Sequence, residues 1–288
     1  VGIVQHTGST YMKVDFPSYP SQPWSFMGII FVFVLIPQLL LSQCANFGEF
    51  DIGEDVEITC ADSCLTLVSP SIATVATGGT EYIVEEIEYA LPHPFNQGSV
   101  AINTGDDVYS SIIPLGFTFE FFGNTYTECR ISSNGWFSFD TGETAGYNPN
   151  GTNPNQNLPN NSVMGIYSDL NPSTCGNIRY DTYGTAPCRE FVVTWNAVCQ
   201  FSCTSQQVSA EVVLYEGTNV IEVYLGNRPQ CGWGSAVVGI MNQPGTVGIS
   251  PDGYNTGNWS AANEAWRFSS GEVVEGTTLW YEGDDYLG

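Results

Sequence analysis

Past residue 50 the chain alternates short apolar, β-branched or aromatic runs with clusters of Gly, Asn, Pro and Asp. No stretch there sustains the 3.6-residue apolar period of an amphipathic helix, so the pattern predicts strands. The clearest runs are Val56–Thr59, Leu65–Val68, Tyr82–Ile87, Leu115–Phe122, Glu128–Ile131 and Trp136–Phe139. They continue with Ile178–Tyr183, Glu190–Trp195, Val208–Tyr215, Asn219–Leu225 and Ala236–Asn242. Many short strands separated by turn signals predict an all-β, antiparallel β-sandwich. Two joints are hairpin-like: Glu216–Asn219 between VSAEVVLY and VIEVYL, and Ser133-Asn134-Gly135 between RIS and WFSF. One segment breaks the rhythm. Residues Tyr147–Asn161 (YNPNGTNPNQNLPNN) read as a long surface loop, either a solvated connector or a functional element.

The one long apolar run is Met27–Leu41, 15 residues without a charge. It is shorter than the roughly 20 residues of a membrane-spanning helix and fits the apolar centre of a signal peptide. Met12-Lys13 supplies the positive start, and cleavage after the small Ser42 would begin the exported chain near Cys44. A lipoprotein reading of Leu41-Ser42-Gln43-Cys44 is disfavoured by the glutamine. The expected organisation is therefore 1–43 upstream residues and signal peptide, then 44–270 β-sandwich. Residues 271–288, with the strand-like Thr278–Gly283, read as the start of a following domain. Secretion or cell-surface placement follows, with membrane contact only through the transient signal peptide.

Export decides how the nine cysteines are read. In an oxidising compartment they are disulfides by default. Cys60 and Cys64, and Cys199 and Cys203, are close enough in sequence for short local bridges, and Cys175 and Cys188 flank an expected hairpin. Zinc competes poorly, because His93 is the one histidine past the signal and neither short pair has C-x2-C spacing. The odd count leaves at least one thiol outside intramolecular pairs.

Charge narrows the partners. Thirty acidic residues against six basic ones give a net charge of −24, which repels phosphate backbones and anionic membranes, so nucleic acid is not an expected partner. Nucleophilic catalysis has little to draw on. The only lysine is Lys13, His93 is wedged in Leu-Pro-His-Pro and reads as rigid loop surface, and G-x-S-x-G is absent. Paired carboxylates could serve a glycosidase, and Trp136, Trp195, Trp233, Trp259 and Trp266 could stack on sugar rings. These tryptophans fall in or beside strands, where packing claims them. A carbohydrate-binding or carbohydrate-active domain is the alternative to a non-enzymatic module. Calcium is the metal candidate, since hard cations take carboxylate and amide oxygens. The oxygen-rich loops are Asp106-Asp107, Asp169-x-Asn171 and Asp252-Gly253-x-Asn255. None has EF-hand spacing, and each is equally a turn sequence. No other cofactor is expected.

Several motifs occur together in a fixed order: Ile113–Tyr126 (IPLGFTFEFFGNTY), Ile131–Phe139 (ISSNGWFSF), Tyr167–Pro172, Gly176–Tyr180, Ala186–Asn196 (APCREFVVTWN), Val213–Tyr224 and Asn263–Phe268. Over Asp55–Phe268 the chain resembles the N-terminal module of large Bacteroidetes surface proteins, gliding-motility-associated and exported by type IX secretion. It is also similar to nidogen-like extracellular domains. The resemblance implies a disulfide-stapled jelly-roll or nidogen-like sandwich acting as a non-enzymatic adhesin or surface scaffold. Its partner would be an extracellular protein or glycan, and immunoglobulin-like repeats would follow in the same chain, Leu279–Asp284 resembling a first strand. No catalytic residue carries over. Cys129 and Cys175 depart from the family pattern, which leaves the bridge map open.

Overall fold

The computed structural model describes residues 79–232 and 234–270, and outside them the strands at 2–6, 9–13, 73–75, 273–275, 281–282 and 285–286. The signal-like run at 27–41, the runs at 56–59 and 65–68, Cys44, Cys60, Cys64 and Trp233 lie outside the described residues. The strands in chain order are β1 (Gly2–His6), β2 (Ser9–Lys13), β3 (Ala73–Val75), β4 (Tyr82–Ile87), β5 (Ser99–Ile102), β6 (Tyr109–Phe121) and β7 (Asn124–Ser132). Then come β8 (Trp136–Ser138), β9 (Ser162–Tyr167), β10 (Asn177–Tyr183), β11 (Glu190–Gln200), β12 (Cys203–Tyr215) and β13 (Ile221–Arg228). The last are β14 (Val237–Met241), β15 (Gly248–Ile249), β16 (Ala261–Ser270), β17 (Val273–Glu275), β18 (Tyr281–Glu282) and β19 (Asp285–Tyr286).

Two antiparallel sheets form the sandwich. One has seven strands in the order β4-β16-β13-β12-β11-β10-β5, the other six in the order β15-β14-β9-β8-β7-β6. The ladders β1–β2, β3–β17 and β18–β19 are two-stranded. The strands β1, β2, β17, β18 and β19 fall in a second unit of the chain.

The strand period explains the core. Along β6, Ile113, Leu115, Phe117, Phe119 and Phe121 are buried, while Ile112, Pro114, Gly116 and Thr118 between them are exposed. They meet residues of the opposite sheet, Phe191, Trp195, Val212, Val223 and Phe268, in one continuous cluster. Phe137 touches Phe191 edge-on across the interior, ring centroids 6.3 Å apart. Fully burying a phenylalanine or leucine here contributes about 2–3 kcal/mol. Two glycines fit the layers together. A side chain at Gly165 would come within 2.6 Å of Val212, and one at Gly135, whose φ is +83°, within 1.9 Å of the Ile166 carbonyl oxygen. The Asn134-Gly135 turn therefore accepts only glycine.

Each sheet also carries an apolar cluster on its outer face, and a loop covers each. Trp136, Leu158, Met164, Tyr167, Val237 and Met241 lie outside the six-stranded sheet, where the Asn/Pro segment supplies Leu158. That segment is pinned rather than wholly solvated. Asn153 is buried and donates from Nδ2 to the carbonyls of Ile240 and Ile249. On the seven-stranded sheet the second cluster is Val192, Val213, Tyr215, Tyr224 and Ala265, against which Ile87, Tyr89, Leu91, Tyr183 and Val220 pack. Two-sided burial explains a strand the sequence pattern misses. All six residues of β9 are buried, so it shows no alternation.

The cysteine pairing corrects the local scheme. Cys175 bridges Cys199 and Cys203 bridges Cys231, with Cα separations of 5.3 and 5.9 Å. Across the β11–β12 hairpin Cys203 faces Gln200, not Cys199, and neighbouring strand residues point to opposite faces. Cys175 and Cys188 stand at opposite ends of β10, a strand length apart, which rules out a bridge between them. Cys188 is disulfide-bonded as well. Among the described residues Cys129 is a buried free thiol, and burial pushes its pKa far up, which makes it inert.

Candidate functional site

Three connections meet at one end of the sandwich. The β5–β6 loop carries Asp106 and Asp107, the β7–β8 turn carries Asn134, and the β9–β10 connection carries Asp169 and Asn171. One carboxylate oxygen from each of Asp106, Asp107 and Asp169 lies within 4.8 Å of the others. Asp106 and Asp107 are exposed, whereas Asp169 is 5% exposed.

Hydrogen bonds fix these side chains from below. Asn134 donates from Nδ2 to Asp107 Oδ1 at 2.9 Å, while its Oδ1 accepts the Leu170 amide at 2.9 Å. Asn171 donates to Asp106 Oδ2 at 2.8 Å, and its Oδ1 accepts the Ser173 amide at 2.9 Å. Ser173 Oγ accepts the Gly105 amide at 2.8 Å, closing the loops on each other. The Asp169 carbonyl accepts the Phe201 amide and the Asn171 amide donates to the Cys199 carbonyl, which ties the connection to the Cys175–Cys199 bridge. Burial, and then the Asp107 charge, hold the Asp106 carboxyl above its ordinary value against the Asp107 amide. Three carboxylates this close repel one another, and a hard divalent cation is the chemistry that relieves such repulsion.

Asp106, Asp107, Asp169 and Asn171, candidates separated in sequence, are thus brought together. Asp252 and Asn255 are not among them. Asp252 lies in the exposed turn closed by the Tyr254 amide on the Pro251 carbonyl. Asn255 spends both amide atoms on the Asn153 backbone and anchors the Asn/Pro segment. The sequence pattern passes over Asn134, although its position in a tight Asn-Gly turn beside strand ends marked it.

A second polar cluster lies on the outer face of the seven-stranded sheet. Residues paired across neighbouring strands form two rows there. One is Arg179–Thr194–Glu211–Tyr224–Ala265–Ile87, the other Asp181–Val192–Val213–Glu222–Arg267–Glu85. The segment 88–97 crosses this face. His93 corrects the loop-surface expectation: its ring stacks on Tyr183 with centroids 4.3 Å apart, and its Nε2 lies 2.8 Å from Glu190 Oε2. The flanking prolines hold the histidine down on the sheet rather than out in solvent.

The four tryptophans among the described residues are committed to packing. Trp136, Trp195 and Trp266 are buried, and Trp259 packs against the core with Nε1 donating to the Ala236 carbonyl. No helix among the described residues is long and apolar enough to cross a membrane.

Comparison with known proteins adds one finding. A family model described as NIDO related matches residues 88–281, more than half of the chain. No curated protein and no solved structure matches the chain. The match and the disulfides together indicate an extracellular protein.

Proposed function

The chain belongs to the NIDO-related family, and from that premise we propose that it is a non-enzymatic adhesion or surface-scaffold module of a large secreted protein. In this reading the loop end of the sandwich holds a calcium ion on Asp106, Asp107 and Asp169. The observation that carries the proposal is the convergence of three carboxylates from two loops onto one disulfide-braced end. Calcium there would fix the loops in one arrangement and present them to an extracellular protein or glycan. Extracellular calcium modules bind at about 10⁻⁴–10⁻³ M. A site of about 0.1 mM affinity in 10 mM calcium stabilises the fold by roughly 2.7 kcal/mol. That raises the Tm of a domain this size by about 5–10 °C.

The experiment is a thermal melt of the purified chain in calcium and in chelator, repeated for Asp169→Asn. The wild type should melt higher in calcium, and the variant should melt alike in both. An unchanged wild-type Tm removes calcium from the account. Hydrolysis of a polysaccharide panel, abolished by one carboxylate-to-amide change, would overturn the non-enzymatic reading. The specific setting we propose is a type IX-exported bacterial surface protein, which the ordered motifs between Ile113 and Phe268 support. Downstream sequence with a C-terminal sorting domain would bear that out; an appended catalytic domain would reverse it.

A further inference from the structure

One segment, 88–97, closes the outer face of the seven-stranded sheet, and beneath it sits a carboxyl group with no side-chain partner. Glu211 is completely buried, and neither of its oxygens meets a donor at hydrogen-bonding geometry. The covering segment is held by a few identifiable contacts. Thr194 donates from Oγ1 to the Phe95 carbonyl at 3.0 Å, and Arg179 donates to the Gly98 carbonyl at 2.9 Å. His93 pairs with Glu190 and stacks on Tyr183, while Tyr89 meets Tyr224 edge-on at 6.2 Å. The absence of a side chain at Gly226 makes the seat, since a Cβ there would come within 2.7 Å of the Phe95 ring.

The side chains around Glu211 offer an ionised carboxylate nothing. From β11, Thr194 has given its hydroxyl to Phe95, and Glu190 adds a second negative charge. From β10, Arg179 is turned to Asn177 and Gly98, and Tyr183 and Asp181 supply no free cation. From β13, Tyr224 directs its hydroxyl to Glu222. The covering segment contributes Tyr89, His93 engaged with Glu190, and the His93 backbone amide, the one group that favours the charge. A buried carboxylate so surrounded is costly, and a protonated one is not.

We infer that 88–97 is a proton-held lid, which stays closed on the sheet while Glu211 is protonated and lifts when that proton is lost, uncovering the apolar patch of Val192, Val213, Tyr215 and Tyr224. Burial raises the Glu211 carboxyl to about 8, against the His93 amide and with the help of Glu190, so the lid loosens progressively as pH climbs from about 4.5 toward 8. Ionisation would place a second negative charge beside Glu190 under the lid. Lifting the lid hydrates it.

Hydrogen exchange across the amides of 88–97 in the full chain tests this, with each pH compared against Glu211→Gln so that the intrinsic rate cancels. Relative to the variant, wild-type protection should fall by up to about tenfold per pH unit between about pH 4.5 and 8 and level off above that. Glu211→Gln should remain protected throughout. Parallel loss of protection in both proteins overturns the lid. Carbon-detected titration of the wild-type Glu211 carboxyl gives an answer that does not depend on the variant folding: a midpoint above pH 7 supports the inference and one below pH 6 defeats it. His93→Gln separates the two acid–base groups over the same face. It should lower protection at every pH yet keep the loss that accompanies rising pH; if it erases the pH dependence, the His93–Glu190 pair is the switch and Glu211 is not.

Discussion

Glu211 and Glu222 stand on adjacent strands, on the same outer face and one row apart, and both are buried. Their surroundings differ completely. Glu222 accepts hydrogen bonds from the hydroxyls of Tyr215 and Tyr224, each at 2.6 Å, and from Arg267 Nε at 2.9 Å. Glu211 accepts none at good geometry. The partners show the consequence. Burial would lower the Arg267 guanidinium, but its bond to Glu222 overrides this and holds it above its ordinary value. Burial first, and then Glu222, push both tyrosines far up. A buried carboxylate is therefore neither stabilising nor destabilising in itself. Its donors decide: Glu222 is an organising charge, and Glu211 is a group the fold tolerates only when neutral.

The largest break in this comparison comes from removing the satisfied partner. Glu222→Leu leaves the Arg267 charge and two tyrosine hydroxyls without their shared acceptor on a covered face. Removing one member of a buried, bonded charge network costs about 3–5 kcal/mol, and the partial exposure of Arg267 places this case toward the lower end. Denaturant unfolding at pH 7 should show the loss as a lower midpoint at unchanged slope. A double change that also replaces Arg267 with leucine should recover part of it, because a guanidinium left with only its longer contact to Glu85 is then gone as well.

The strands bearing both glutamates were legible. VSAEVVLY and VIEVYL alternate and are joined by a four-residue turn, and the structure pairs them as β12 and β13. Their burial was not legible, because alternation assigns a glutamate to the solvent side of a sheet. Its concealment depends on a covering segment whose Leu-Pro-His-Pro reads as exposed loop. The same limit applies at the loop end. Asp106-Asp107 and Asp169-x-Asn171 were readable as oxygen-rich turns. That Asn171 reaches Asp106, 65 residues away, follows from the order of strands in two sheets, which no local pattern contains. β16 escaped for a related reason: its Asn263, Glu264, Ser269 and Ser270 interrupt the apolar run, although most of the strand is buried. The cysteines followed strand geometry rather than sequence proximity.

The second break is made at Glu211, and its sign is opposite. In the folded chain its carboxyl is raised from 4.5 to about 8. Between those values the folded state keeps a proton that the unfolded state has lost, so stability is fully present below about 4.5 and declines as pH rises toward 8. Glu211→Leu deletes the group and should flatten that decline. The variant should gain roughly 4 kcal/mol more over the wild type at pH 8.5 than at pH 4.5. Unfolding midpoints across that range measure it. A wild type whose stability does not depend on Glu211 between those pH values would remove the contrast between the two glutamates.

The finest test asks whether the two tyrosines on Glu222 are equivalent. Each donates one hydroxyl to the same oxygen, Oε2, at the same distance. A hydrogen bond to a charged group contributes about 1.5–3 kcal/mol, and removing one of two donors to a shared atom should cost less than that. Tyr215→Phe and Tyr224→Phe are therefore each expected to lose about 1 kcal/mol, because the remaining hydroxyl and Arg267 still hold the carboxylate. The double change should lose more than the sum, since the second removal leaves Oε2 without a tyrosine donor. Strict additivity in a double-mutant cycle would mean that the hydroxyls act independently, each holding Oε2 without help from the other.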